Sequence, residues 1–253
     1  MQMRMHFSPV PFRIMAPVTL LSLAIVAIFL LISCGDDKGT DSELPITVTD
    51  IDGNIYQTAT IGSQVWMKEN LKVTHYRNGD PIPNVTESGD WAALSTGAYC
   101  DYDNDTAVAT VYGRLYNWYV IDDSRNIAPE GWHVATEEEW QQLEISIGIS
   151  PDTAASIGRH GWEEGGKLKE AETAHWLSPN TGATNESGFT ALPAGGRDIS
   201  VDFLALYECS FFWSSSAYDD DEALYRTMWY DESYICCDPE SKKEGFSIRC
   251  VRD

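Results

Sequence analysis

The residues best placed to do chemistry are the carboxylates of Asp101-Tyr102-Asp103-Asn104-Asp105. Alternation at i, i+2 and i+4 lets Asp101, Asp103 and Asp105 turn oxygens toward one hard cation, as a calcium loop does. The loop departs from an EF-hand, because Thr106 stands where the glycine belongs and Tyr112 where the closing glutamate belongs. Calcium is therefore the one cofactor to test for, and a solvated acidic loop beside Cys100 is the plainer reading. Tyr218-Asp219-Asp220-Asp221-Glu222 forms a second acidic cluster that reads as a surface turn.

Enzyme chemistry finds less support. His75, His133, His160 and His175 have no nucleophile elbow and form no His-Glu-x-x-His pair, and Gly165-Gly166-Lys167 lacks the rest of a phosphate loop. A binding module, not an enzyme, is the expectation. Aromatic rings in polar loops can stack on sugar faces, which singles out Trp91, Trp162, Trp176 and Tyr218 as ligand-loop candidates. Trp66, Trp118, Trp132, Trp140 and Trp213 read as core residues.

The N-terminus predicts a place outside the cytoplasm for all of this. Residues 1–33 carry Arg4 and Arg13 but no acid, then an apolar run from Val18 to Ile32, the layout of a secretory leader. The run is short for a spanning helix, which needs ~20 residues. It ends at Leu31-Ile32-Ser33-Cys34-Gly35, which resembles a lipobox. Cleavage before Cys34 and lipidation of its thiol are expected, with acyl chains such as palmitate worth ~0.8 kcal/mol per buried methylene. Residues 34–45 read as a flexible acidic tether, and 46–253 as one domain. The expected location is the cell envelope, at the outer membrane or the cell surface.

A net charge of −22 argues against nucleic acid as a partner and leaves glycans or other surface proteins. Cys100, Cys209, Cys236, Cys237 and Cys250 fall in the domain, an odd number in an oxidising compartment. Structural disulfides are expected over a metal site, with Cys100–Cys250 and Cys209–Cys236 as the proposed pairs.

The elements that must hold these residues are readable in outline. Ile55–Ile61 and Gln64–Met67 flank Ile61-Gly62-Ser63 as a hairpin, preceded by a turn at Asp52-Gly53-Asn54. Tyr112, Leu115, Tyr116 and Tyr119 fall on one helical face, which predicts a helix over Tyr112–Ile121. Thr136 and Glu139 form a capping box that opens a second helix, stopped at Gly148. Ala191–Pro193, Phe211–Ser214, Tyr225–Tyr230 and Gly245–Val251 read as strands, with Phe246, Ile248 and Cys250 on one face of the last. The order of elements predicts an α+β fold with a mixed or antiparallel sheet.

Several blocks occur in the order of one family: Ile61-Gly62-Ser63-Gln64-Val65-Trp66-Met67-Lys68-Glu69-Asn70-Leu71, Tyr112-Gly113-Arg114-Leu115-Tyr116-Asn117-Trp118 and Pro129-Glu130-Gly131-Trp132-His133-Val134. Gly188-Phe189-Thr190-Ala191-Leu192-Pro193, Trp213-Ser214-Ser215-Ser216 and Gly245-Phe246-Ser247-Ile248-Arg249-Cys250-Val251 follow. Together they resemble the Fibrobacter succinogenes major paralogous (FISUMP) domain over about residues 46–253. The resemblance implies an extracytoplasmic domain, often on a lipoprotein, with a distant variant of the C-type lectin-like fold. It weakens at Leu192-Pro193-Ala194-Gly195-Gly196, Tyr207-Glu208-Cys209 and Cys236-Cys237. The loops between about Gly195 and Asp238 are where such a fold would display a ligand site for carbohydrate or a surface protein.

Overall fold

A computed structural model describes residues 47–200 and 202–253. The leader, Cys34 and the tether lie outside the described residues. Three strands open the domain: β1 (Thr47–Thr49), β2 (Ile55–Ile61) and β3 (Gln64–Met67). Short elements follow: α1 (Ser88–Ala92), β4 (Tyr99–Cys100), α2 (Thr106–Tyr112), β5 (Leu115–Tyr116), α3 (Tyr119–Asp122) and β6 (Trp132–Val134). Then come α4 (Glu137–Ser146), α5 (Pro151–Ala154) and β7 (Gly158–His160). The chain closes with β8 (Ala194–Asp198), β9 (Asp202–Leu206), β10 (Cys209–Ala217), β11 (Glu222–Trp229), β12 (Ile235–Ser241) and β13 (Cys250–Arg252).

The strands form a five-stranded sheet in the order β1-β2-β3-β13-β6, a six-stranded sheet in the order β7-β12-β11-β10-β8-β9, and the β4-β5 pair. Every pairing is antiparallel except β8 with β10. The α+β class is as the sequence order implied. The C-terminal strand inserts between β3 and β6, so the last residues close the first sheet. Among the described residues no helix is long and apolar enough to cross a membrane.

The opening turn shows how local chemistry makes this geometry. Asp50 accepts from the backbone N–H of Asp52 and Asn54 and from the Tyr56 hydroxyl at 2.6 Å, so one carboxylate closes the β1–β2 turn and pins β2. The β2–β3 hairpin pairs Ile61 with Gln64 as its turn residues predicted. In α4, Thr136 Oγ1 accepts from Glu139 N–H at 3.2 Å and Glu139 Oε2 accepts from Thr136 N–H at 2.9 Å, the predicted capping box. Trp140 and Leu143 then bury one face of the helix.

The predicted helix over Tyr112–Ile121 does not form as one element. It breaks into the end of α2, strand β5 and α3. Gly113 adopts φ 82°, and a Cβ there would sit 2.5 Å from that of Asn70. Past it, Arg114 N–H donates to Leu71 and Tyr116 N–H to Phe246, so tertiary acceptors replace the i−4 carbonyls. The aromatic spacing records burial of Tyr112, Leu115 and Tyr116, by a turn and strand instead of a helical stripe. The strand expected at Ala191–Pro193 begins later, at Ala194, and that expected over Gly245–Val251 is regular only from Cys250. Phe246, Ile248 and Cys250 do share one face, but Ser247 and Arg249 on the other are equally buried, because both sides of this segment are covered.

Long irregular stretches leave carbonyls without ladder partners, and buried cations supply the donors. Arg249 is fully buried without a carboxylate partner; it donates to the carbonyls of Met67, Phe189 and Thr190 and to Asn70 Oδ1, and stacks over Phe189 at 4.5 Å. Burial among neutral acceptors brings its guanidinium down to about 9. Lys169 does the same for Thr181, Trp229 and Glu232, and burial brings its ammonium down to about 8. Lys242 holds the carbonyls of Asp219 and Asp220 beneath the second acidic cluster. In so acidic a chain, most described cations are spent on backbone.

The predicted disulfides are absent: all five described cysteines are free. β10 and β12 flank β11, so Cys209 and Cys236 sit on strands about 9.5 Å apart. A disulfide spans Cα separations of only ~4.4–6.8 Å. Cys100 pairs with Leu115 in the small sheet, whereas Cys250 pairs with Val134 in the five-stranded sheet, in separate hydrophobic clusters.

Candidate functional site

The six-stranded sheet has two unlike faces, set by the alternation along β11. Leu224, Arg226 and Met228 point inward; Tyr225, Thr227 and Trp229 point outward. The register places Phe211 opposite Thr227, and Thr227 opposite Cys236, on the same outward face. Arg159 on β7 comes opposite Cys236. With Tyr234 and Asp238 these side chains line an open groove of about 230 Å³.

The floor of the groove is aromatic. Phe211 stacks on Phe246 at 5.0 Å and meets Trp229 edge-on at 6.2 Å, while Tyr225 lies 5.0 Å from Phe246. This anchors the rings from below and leaves Tyr225 and Trp229 half-buried. The guanidinium of Arg159, itself exposed, lies 4.9 Å from the Tyr234 ring centre. Among the described residues, Arg159 has no hydrogen-bond or ion-pair partner, and the side chains of Tyr225, Thr227, Trp229 and Tyr234 make no hydrogen bond. The polar tips of these five side chains are uncommitted.

Cys236 and Asp238 are committed to each other, the thiol donating to Asp238 Oδ2 at 2.9 Å. Burial, that hydrogen bond and the Asp238 charge push the thiol up to about 12, consistent with its role as donor to Asp238. Burial pushes Cys100 and Cys237 up to about 12 as well.

The residues singled out from sequence scatter. Asp101 is buried and ion-paired with Arg114. Asp105 caps α2 by accepting from Ala107 N–H at 2.8 Å, and Asp103 is exposed at φ 51°. The three carboxylates do not converge, and among the described residues no group of three or more His, Cys, Asp and Glu side chains could hold a metal ion. Trp91 and Trp176 are corrected from exposed loop aromatics to buried ones, at 1% and 2% exposure. Each is drawn in by a carbonyl for its indole N–H: Lys243 for Trp91 at 2.8 Å, and Ala191 for Trp176 at 3.0 Å. A buried cation also covers each ring, Arg197 at 4.7 Å and Lys169 at 5.4 Å. Trp162 and Tyr218 are exposed as expected, Tyr218 at the β10–β11 turn and outside the groove.

Most of the groove lies within the stretch from Gly195 to Asp238, although Arg159, Tyr225, Thr227, Trp229 and Tyr234 were not among the residues singled out from sequence. The signal was present in β11: Tyr225, Thr227 and Trp229 alternate with Leu224, Arg226 and Met228 at the two-residue period of a strand.

Fold and groove together define an α+β domain with an open, aromatic-floored groove on one sheet. The chain belongs to the Fibrobacter succinogenes major domain family, whose model matches residues 59–252. No curated protein and no solved structure matches it.

Proposed function

We propose that this protein is a lipid-anchored, extracytoplasmic binding module that takes carbohydrate on the outward face of β10, β11 and β12. The observation that carries this reading is the set of uncommitted polar tips above an aromatic floor. Rings with an apolar face and a polar edge suit ligands that are apolar on one side and wet on the other. Thr227, Asp238 and Arg159 then offer hydroxyl, acceptor and donor to sugar hydroxyls. The anchor would be Cys34, with residues 34–45 as the tether, and the fold is read as a distant C-type lectin-like variant. An enzyme of unknown activity is the third reading.

A second reading, a structural envelope protein that engages other proteins, is favoured by Ile51 and Ile55. These stand 50% and 65% exposed beside the edge strand β1. The full chain, purified in detergent, on a glycan array with and without calcium separates the two. Glycan binding that is lost in Trp229→Ala supports the groove. Silence across a broad array removes the carbohydrate reading and leaves the protein-contact one.

A further inference from the structure

The groove does not end at Tyr234. Trp162, two-thirds exposed, meets the Tyr234 ring edge-on, with centroids 5.7 Å apart and planes at 74°. The carbonyl of Trp162 accepts from Ser233 Oγ at 2.8 Å, which ties the loop bearing the indole to the segment bearing the phenol. The loop is held from behind as well: Gly161 sits at φ 59°, so close to Ile149 that a Cβ there would lie 2.5 Å from its Cδ1. An exposed tryptophan on a backbone fixed at two points is a pre-positioned contact, with little ordering entropy left to lose on binding.

Trp162 also lines a second groove, of about 410 Å³, together with Ile149, Ser150, Thr153, Glu163 and Glu164. Pockets for small ligands run ~300–1,000 Å³. The groove on the sheet, at about 230 Å³, falls below that range, and the second lies near its lower end. Separately each suits a small fragment. Joined across the Trp162–Tyr234 pair, they suit a chain.

We propose that the two grooves are successive subsites for one linear, uncharged glycan chain, with the Trp162–Tyr234 pair between them. This rests on the carbohydrate reading above and adds ligand length and charge to it. The charge follows from the lining: Glu163 and Glu164 in the second groove and Asp238 in the first outnumber the two cations beside them, Arg159 and Lys167, whose Nζ would lie 3.5 Å from a Cβ on Gly148. All lie on a strongly acidic molecule. Uronic acids would meet net repulsion at contact range, inside the ~8 Å over which physiological salt leaves charges unscreened.

The test is calorimetric titration of the full chain in detergent with neutral oligosaccharides of increasing length, from disaccharide to hexasaccharide, drawn from whichever glycan the array returns. Affinity is expected to rise about tenfold as the second groove fills, equivalent to about 1.4 kcal/mol. In Trp162→Ala the long chain should bind no better than the short one, whereas Tyr218→Ala, outside both grooves, should keep the length dependence. Uronic-acid oligomers should bind about tenfold more weakly than neutral ones of equal length, and 1 M salt should narrow that gap. Length-independent affinity that Trp162→Ala leaves untouched overturns the second subsite while the carbohydrate reading stands. Tighter binding of uronic acids overturns the charge assignment. Failure of every oligosaccharide to bind removes the carbohydrate reading itself, and this inference with it.

Discussion

The two faces of the six-stranded sheet are made by alternate residues of the same strands, yet the arginines they carry are in opposite states. On the inward face Arg226 is fully buried and each of its three nitrogens has a partner. Its Nε bonds Glu144 at 2.7 Å, its two terminal nitrogens bond Glu137 at 2.7 Å each, and Nη1 reaches the Cys237 sulfur at 2.9 Å. His160, also buried, completes Glu144 at 2.9 Å. On the outward face Tyr225, Thr227, Trp229 and Arg159 have no such partners. A polar network that satisfies itself behind a closed surface specifies structure. A polar set left open above aromatic rings has its bonding capacity still to use. Burial alone would not separate the two, since Thr227 is 95% buried and still uncommitted.

The strongest way to break the comparison is to open the closed face. Arg226→Met strands Glu137 and Glu144 without their cation, and removing one partner of a buried ion pair costs about 3–5 kcal/mol. Urea unfolding should show the midpoint collapse with an unchanged slope. A loss under about 1 kcal/mol would mean that the network adds little, and that the inward face is held by Trp140, Leu143 and Met228 alone.

Acid should find the same face next. Burial alone would raise the Glu137 carboxyl, but the Arg226 hydrogen bonds and charge outweigh it and hold the group below the usual carboxylate range. A depressed carboxylate stabilises the fold above its unfolded value, and that stabilisation disappears as pH falls through the folded one. Glu244 behaves in the opposite sense. Burial and the neighbouring Asp198 push it up from 4.5 to about 8, so the folded state keeps a proton that the unfolded chain has released. Its contribution falls as pH rises from 4.5 toward 8. Thermal melts against pH should therefore show Glu137→Gln flattening the acid limb and Glu244→Gln flattening the limb between pH 5 and 8. An unchanged upper limb in Glu244→Gln would reassign that loss to another group.

The closed face was partly legible in the sequence and the open one hardly at all, for a physical reason. A capping box is a local contract between Thr136 and Glu139, so four residues suffice to read it. The β2–β3 turn is local in the same way. The fate of Trp91 is not: its covering carbonyl comes from Lys243 and its covering cation is Arg197, both far along the chain. Polar neighbours in sequence made Trp91 and Trp176 look exposed, and tertiary loops buried them. The break at Gly113 is equally non-local, since Leu71 and Phe246 supply the acceptors that end the helix. The groove needs β7, β10, β11 and β12 in register, and strand order is the part of a fold that residue patterns specify least. Pairing of the cysteines failed for the same reason, because an intervening strand cannot be seen in spacing.

The smallest expected effect on stability is the sharpest test of the difference between the faces. Arg159 sits on β7 directly opposite Cys236, and Arg226 sits on β11 opposite Cys237, so the two guanidiniums occupy neighbouring register positions on opposite sides of one sheet. Arg159 contributes only its approach to the Tyr234 ring, worth about 0.5–1 kcal/mol at an exposed site. Arg159→Gln should therefore move the unfolding midpoint by no more than that, while lowering glycan affinity by removing a guanidinium donor from the groove. If it destabilises as severely as Arg226→Met, the outward face is structural too, and its open bonding capacity is no longer an argument for a ligand. If stability holds and binding falls, the same side-chain type has been given two occupations by nothing more than which way its strand turns it.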